Sequence, residues 1–297
     1  AEDRELGEPA ARSVSSLMAN RLPARIQELL RLAGTVANEV GAKVYVVGGF
    51  VRDLMLRHEN LDVDLVVEGD GIAFAEVLGQ RLSAKVTSHR TFGTAVLTLP
   101  DDFKVDVATA RTEYYEYPAA LPTVEHSSIK MDLYRRDFTI NTLAVCLNAD
   151  RYGELLDFFG GQQDLRDKTL RIIHNLSFVE DPTRILRAAR FEVRFGFRLS
   201  RHAEQLAVNA VQMGLLEKLA GVRRTTELQL ILQEPRPFPI LERLEELGVL
   251  TAIHPRLTLG TDMEQRFQRA GEVLTWYGLL YQDCLLYTSD AADEEDS

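Results

Sequence analysis

Apolar positions along the chain change period from segment to segment. Residues 23–40, "PARIQELLRLAGTVANEV", place them at helical spacing and stop at Gly41, which predicts a helix ended by a glycine cap. "KVYVVGG" is a β-branched and aromatic run cut off by Gly48-Gly49, and "FVRDLML" resumes helical character, so strand, glycine turn and helix follow in order. "LDVDLVV" predicts a second strand and "GIAFAEVLGQRLSA" a helix. "AKVTSH", "GTAVLTLP" and "FKVDVATA" predict three more strands, the last two joined as a hairpin around "PDD". Residues 112–130 are rich in Tyr and Pro without periodicity and predict a surface excursion; "RRDFTINTLAVCLN" predicts a helix. Beyond the glycines at 153, 160 and 161 strand signals fade, and 180–195, 202–218, 223–234 and 239–248 predict successive helices. The expected architecture is a mixed α+β unit over residues 21–150 followed by an all-helical module over 162–281.

In a strand, residues i and i+2 share a face, so Asp62 and Asp64 project together while Val63, Leu65 and Val67 face a core. Asp106, flanked by Val105 and Val107, stands in the same relation to its own strand. Clustered carboxylates repel unless a cation compensates them, and magnesium, a hard ion that takes carboxylate and phosphate oxygens, suits the task. Three acids on adjacent strands could hold two such ions about 3.5–4 Å apart, as phosphoryl transfer requires. Taken alone, a D-x-D pair is common on exposed strand ends and usually carries no function.

Gly48-Gly49 allows close approach of the backbone to a ligand, the following helix would aim its N–H groups there, and Arg52 adds a cation; a triphosphate fits, and so does a plain tight turn. The segment is neither G-x-G-x-x-G nor a Walker A loop. Asp53 reads as a partner in a salt bridge or cap. Downstream, "EDPTRILRAARF" predicts a helix with Asp181 before Pro182 as its cap. Arg184, Arg187, Arg190 and Arg194 fall on one arc of that helix and Ile185, Leu186, Ala189 and Val193 on another, leaving the basic arc to solvent or to RNA. Asp181 and Arg184 together offer an acceptor beside a fork of donors, which matches the pairing edges of cytosine and adenine and leaves unpaired groups against guanine and uracil.

Net charge and cysteine content refine this picture. The chain of 297 residues carries −11, but the last eight residues hold five acids and no base, so the remainder carries −6. A local cluster of arginines between 184 and 201, with Glu192 the single acid among them, keeps a nucleic-acid partner open despite the acidic total. Two cysteines, Cys146 and Cys284, lack metal-ligand spacing and fit a reducing compartment. No apolar run is long enough to span a bilayer and the N-terminus is acidic, which together with the cysteines predicts a cytoplasmic protein without a membrane partner. Residues 284–297 resemble translated library-adapter sequence; a genuine acidic tail is the other reading.

The Gly-Gly-x-x-Arg-Asp turn followed by Asp-x-Asp resembles the signature of the polymerase-β-like nucleotidyltransferases. "RRDFTIN" (Arg135–Asn141), "EDPTRILRAARF" (Glu180–Phe191) and "RRTTELQLIL" narrow the resemblance to the bacterial-type (class II) tRNA nucleotidyltransferase and poly(A) polymerase family, over residues 22–255. "HNLSFVEDPTRILRAARF" further resembles the branch in which this unit is fused to other domains, which implies a fragment of a longer protein. The resemblance implies that Asp62, Asp64 and Asp106 hold the catalytic magnesium ions and that Gly48, Gly49 and Arg52 face the triphosphate. It implies that Arg111, Arg136 and Asp137 contact ribose and phosphates. Asp181 and Arg184 would read the base, with Glu180 orienting Arg184, and Arg187 would belong to the nucleotide-binding set. The implied reaction adds C, A or both from CTP and ATP to a tRNA 3′ end with release of pyrophosphate. Poly(A) addition by the same chemistry and a nucleotide- or RNA-binding module without turnover are the alternatives. The sequence leaves the oligomeric state open.

Overall fold

The computed structural model describes residues 12–114, 123–219 and 221–290; side chains are described through Arg111, from Ser127 to Leu219, and from Gly221 to Tyr277. Eight strands form one sheet. From edge to edge they are Arg12–Ser13, Glu154–Leu156, Ala144–Cys146, Lys43–Val47, Val63–Glu68, Lys104–Thr109, Thr94–Thr98 and Lys85–His89. All neighbours run antiparallel except Val63–Glu68 and Lys104–Thr109, which are parallel with Asp64 opposite Asp106. The sheet extends at both ends beyond the 21–150 bounds expected from sequence.

Alternation along the strands explains how the sheet is covered. Val44, Val46, Val63, Leu65, Val67, Val105 and Val107 face a large core, into which the helices Ala24–Val40, Gly49–Leu56 and Gly71–Leu82 bury Leu30, Val51 and Phe74. The opposite face carries a smaller cluster of Tyr45, Val47, Val66 and Ala144 beneath Ile129 and Leu133 of the Ile129–Tyr134 helix. Asp64 and Asp106 alternate onto this second face.

Two expectations need correction. The segment 135–148 is not helical: a short 3₁₀ turn, Thr139–Asn141, leads into the Ala144–Cys146 strand. Leu143 to Leu147 are all buried, and that strand lies between two others, so a short apolar run covered on both faces has no period that distinguishes strand from helix. The expected excursion at 112–130 begins and ends as a two-stranded ribbon, Arg111–Tyr114 paired with Thr123–His126, and then enters the Ile129–Tyr134 helix; residues 115–122 lie outside the described residues.

Beyond the sheet the chain is mainly helical, with Thr183–Phe195, Arg201–Gln212, Gly221–Leu232, Pro237–Glu246, Val249–Ile253 and Met263–Asp290, but the module expected to be all-helical also holds a short parallel ladder, Thr169–Leu170 beside Arg198–Leu199. The second of these helices stops at Gln212, short of the expected 218, where Gly214 adopts positive φ. Residues 284–290 continue the last helix and 291–297 lie outside the described residues. Among the described residues no helix is long and apolar enough to cross a membrane.

Candidate active site

A cavity of about 340 Å³ opens between the sheet and the Thr183–Phe195 helix, lined by Gly49, Arg52, Asp64, Arg136, Asp137, Asn141, Asp181, Arg184 and Arg187. Three segments far apart in sequence therefore meet in one place. Gly48 makes the turn possible: at φ 68° and ψ −130° it occupies a region closed to other residues, and a Cβ there would lie 2.7 Å from Arg136 Nη1. It also receives the chain correctly, donating its N–H to Leu143 O and accepting from Arg52 N.

Arg52 is buried and held on every side. Asp53 takes two of its bonds at 2.8 Å each, Asn141 Oδ1 takes a third, and the guanidinium lies over the Phe195 ring at 4.5 Å. Asp53 thus has the structural salt-bridge role expected of it. Asp137 accepts from Phe138 N–H and from Asn141 Nδ2, and binds Arg187 through two bonds at 2.9 and 2.7 Å. Burial alone would raise the Asp137 carboxyl, but Arg187 and these hydrogen bonds hold it below the ordinary carboxylate range. Arg136 reaches buried Asp132 at 3.4 Å, and its charge opposes the upward shift of Asp64.

The carboxylates behave as a cluster that wants a cation. Burial raises Asp64, and Asp106 and Asp62 raise it further; Asp106 is raised by burial and by Asp62. The backbone register aligns Asp64 with Asp106, and Asp62 lies just before the Val63–Glu68 strand. Among the described residues no three His, Cys, Asp or Glu side chains come together closely enough to hold a metal ion, so the expected three-carboxylate set is not assembled in this structure. An all-oxygen donor set of this kind fits magnesium.

At the other wall Arg184, 5% exposed, donates to Ser177 Oγ at 2.7 Å and to Arg135 O at 2.7 Å, so its position is fixed from behind. Asp181 Oδ1 accepts from Thr183 N and Thr183 Oγ1 and pairs with Arg223 at 2.8 Å, which gives it the capping role read from sequence. Glu180 lies 3.3 Å from His174 and is not part of the cavity lining, nor are Arg111, Gly48, Asp62 and Asp106. Arg111 donates its backbone N–H to Asp132.

The basic arc of this helix is largely paired rather than solvated, although Arg194 remains exposed. Arg190, 6% exposed, pairs with Glu227 and Glu234; Arg187 also meets Glu227, and Arg194 meets Glu234. The Gly221–Leu232 helix and the residues just after it thus neutralise the arc, leaving Arg187 and Arg184 to face the cavity. Sequence reading missed Asn141, Arg223, Glu227 and Glu234. Glu227 lies on the Gly221–Leu232 helix and Glu234 two residues past its end, so no regular spacing marked the pair in the sequence.

The Poly A polymerase head domain model matches residues 44–171. The A-adding tRNA nucleotidyltransferase of Geobacter sulfurreducens is 56% identical over 270 residues, 91% of this chain and 31% of that protein. A solved tRNA-processing enzyme (apo form I) superposes with a TM-score of 0.79 at 39% identity, covering 92% of this chain and 68% of that one. The chain belongs to the tRNA nucleotidyltransferase and poly(A) polymerase family. A third family member, the Thermotoga maritima CCA-adding enzyme complexed with tRNA, matches with a TM-score of 0.79 at 42% identity over 90% of this chain and 62% of that one. The chain thus spans about a third of the Geobacter relative and about two thirds of the solved family members. Of the residues to which the resemblance assigned roles, Gly49, Arg52, Asp64, Arg136, Asp137, Asp181, Arg184 and Arg187 line one cavity, whereas Gly48, Asp62, Asp106, Arg111 and Glu180 do not.

Proposed function

We propose that this chain is a catalytic unit that adds A, C or both to the 3′ end of tRNA, with ATP and CTP as substrates and magnesium as the metal. The observation that carries this reading is the single cavity bringing Asp64, a set of arginines and the Asp181/Arg184 pair together. The 3′-hydroxyl oxygen attacks the α-phosphorus, the bond from that phosphorus to the bridging oxygen breaks, and pyrophosphate leaves. Magnesium held by Asp62, Asp64 and Asp106 would supply charge neutralisation at the triphosphate and lower the pKa of the attacking hydroxyl.

The remaining work falls to the chain's own side chains. Arg136 and Arg187 face the cavity as phosphate and ribose partners, and Arg52 places a fixed charge beside the Gly49 turn. The bonds from Thr183 and Arg223 all fall on Asp181 Oδ1, which directs Oδ2 to accept an exocyclic amine. Arg184 donates to the neighbouring ring nitrogen. A base of opposite polarity would leave a buried donor or acceptor unpaired, at about 1–3 kcal/mol each. A cytoplasmic location goes with this reading.

Incubation with tRNA lacking its terminal CCA, Mg²⁺ and one labelled nucleotide at a time tests it. Incorporation of A onto a CC end, or of C, is expected; long A-tracts would move the chain to poly(A) addition. No incorporation with any nucleotide would leave a binding module.

A further inference from the structure

A ladder of rings leads away from the cavity, and the chemistry above does not use it. His174 and Tyr134 stack with centroids 5.0 Å apart and planes 22° apart. Phe159 meets Tyr134 at 6.0 Å, Phe158 meets Phe159 edge-on at 6.2 Å, and the Lys130 ammonium lies 5.7 Å from the Phe158 centroid. At its inner end the ladder runs behind the Arg184 wall of the cavity. His174 lies 3.3 Å from Glu180, and its pKa is lowered by burial and then by the charge of Arg184, which keeps the ring neutral near pH 7. Tyr134 is followed by Arg135, whose carbonyl anchors Arg184, and by Arg136 of the cavity wall.

The rings also stand on the catalytic face of the sheet. Phe158 and Phe159 pack on the small cluster that contains Val66, two residues from Asp64 on the same side of its strand. Tyr134 nevertheless remains 40% exposed and Met131 39%, and at a spacing of three residues they share one side of the helix. Leu176, two residues past His174, is exposed as well. An apolar patch of this kind beside a reaction centre marks a contact surface.

Charge decides what it contacts. Between residues 129 and 136 Lys130, Arg135 and Arg136 stand against one acid, Asp132, which is buried and bonded to both arginines. A stack of rings under a net positive rim matches unpaired bases on a phosphate backbone, because every base offers a ring face whatever its sequence. We propose, on the basis of the function inferred above, that Tyr134, backed by His174, is a stacking platform for unpaired nucleotides at the RNA 3′ end, with Lys130 meeting a backbone phosphate.

The test measures RNA affinity by fluorescence anisotropy without nucleotide, using labelled tRNA ending in CC, together with KM for tRNA and for ATP during incorporation. Tyr134→Ala and Tyr134→Leu should each weaken RNA binding at least about fivefold, as expected for one lost base stack, and raise the KM for tRNA in step. Tyr134→Phe should match the wild type, and KM for ATP should stay constant in all three. RNA affinities of Tyr134→Ala and Tyr134→Leu within twofold of wild type would overturn the platform, as would a loss in Tyr134→Phe equal to that in Tyr134→Ala. Wild-type protein that neither binds tRNA nor incorporates any nucleotide would overturn the function itself and the platform with it. Wild-type incorporation alongside an unaffected Tyr134→Ala would overturn the platform alone.

Discussion

Replacing Gly48 by alanine separates two effects that meet at one atom. The residue sits at φ 68° and ψ −130°, so any Cβ forces a backbone conformation that costs about 1–3 kcal/mol. The added methyl would also stand 2.7 Å from Arg136 Nη1, closer than Cβ contacts allow. Because that nitrogen ends a flexible side chain, relief comes from moving the guanidinium by several tenths of an ångström rather than from moving the sheet. The strain therefore falls on stability, about 2–4 °C in Tm for each kcal/mol in a chain of this size. The displacement falls on the cavity, where Arg136 leaves its place on the wall. Urea unfolding and ATP binding measured on Gly48→Ala, Arg136→Ala and the double variant distinguish the two. Stability losses should add, whereas losses in ATP affinity should overlap, since the methyl has nothing to displace once Arg136 is gone. A Gly48→Ala protein within about 0.5 kcal/mol of wild type, the size of an ordinary surface substitution, with unchanged ATP affinity would refute the reasoning.

Three further outcomes follow from the charge arrangement. Asp137→Asn should destabilise the fold, by up to the roughly 3–5 kcal/mol of a broken buried pair, because Arg187 loses its main partner. Since the Asp137 carboxyl is held below its ordinary value, its contribution is full above the unfolded pKa of about 3.9 and disappears as pH falls through the folded one; acid unfolding should be correspondingly shallower in the variant. Glu227→Gln should cost less than a fully buried pair, since its contacts with Arg187 and Arg190 are 3.7 and 3.6 Å and Arg187 is partly exposed, and thermal melts would show a modest drop. Asp64→Asn should raise Tm in metal-free buffer by relieving burial of charge and repulsion from Asp106 and Asp62, while abolishing incorporation; a lowered Tm or retained turnover would contradict the cluster.

Much of this was legible in the sequence, for reasons that particular residues make plain. Strict alternation in "LDVDLVV" and "FKVDVATA" announced strands with carboxylates on one face, and both form with Asp64 opposite Asp106. Gly48-Gly49 announced a turn that only glycine could make. What was hidden depended on tertiary neighbours. Ala144–Cys146 read as helix because residues buried on both sides carry no alternation. The arginine arc read as open to solvent or RNA because its acidic partners, Glu227 and Glu234, lie more than thirty positions further on. The ring ladder draws on Lys130, Tyr134, Phe158, Phe159 and His174, whose alignment exists only once the Ile129–Tyr134 helix has docked.

The central claim is that one cavity holds a nucleoside triphosphate and selects its base through Asp181 and Arg184. Equilibrium binding of ATP, CTP, GTP and UTP to the chain in Mg²⁺ tests it most directly. The account predicts that ATP, CTP or both bind about tenfold or more tightly than GTP and UTP, the ratio set by one unpaired buried group, and that Arg184→Ala removes the difference. Equal affinity for all four nucleotides, or binding unaffected by that substitution, would contradict it.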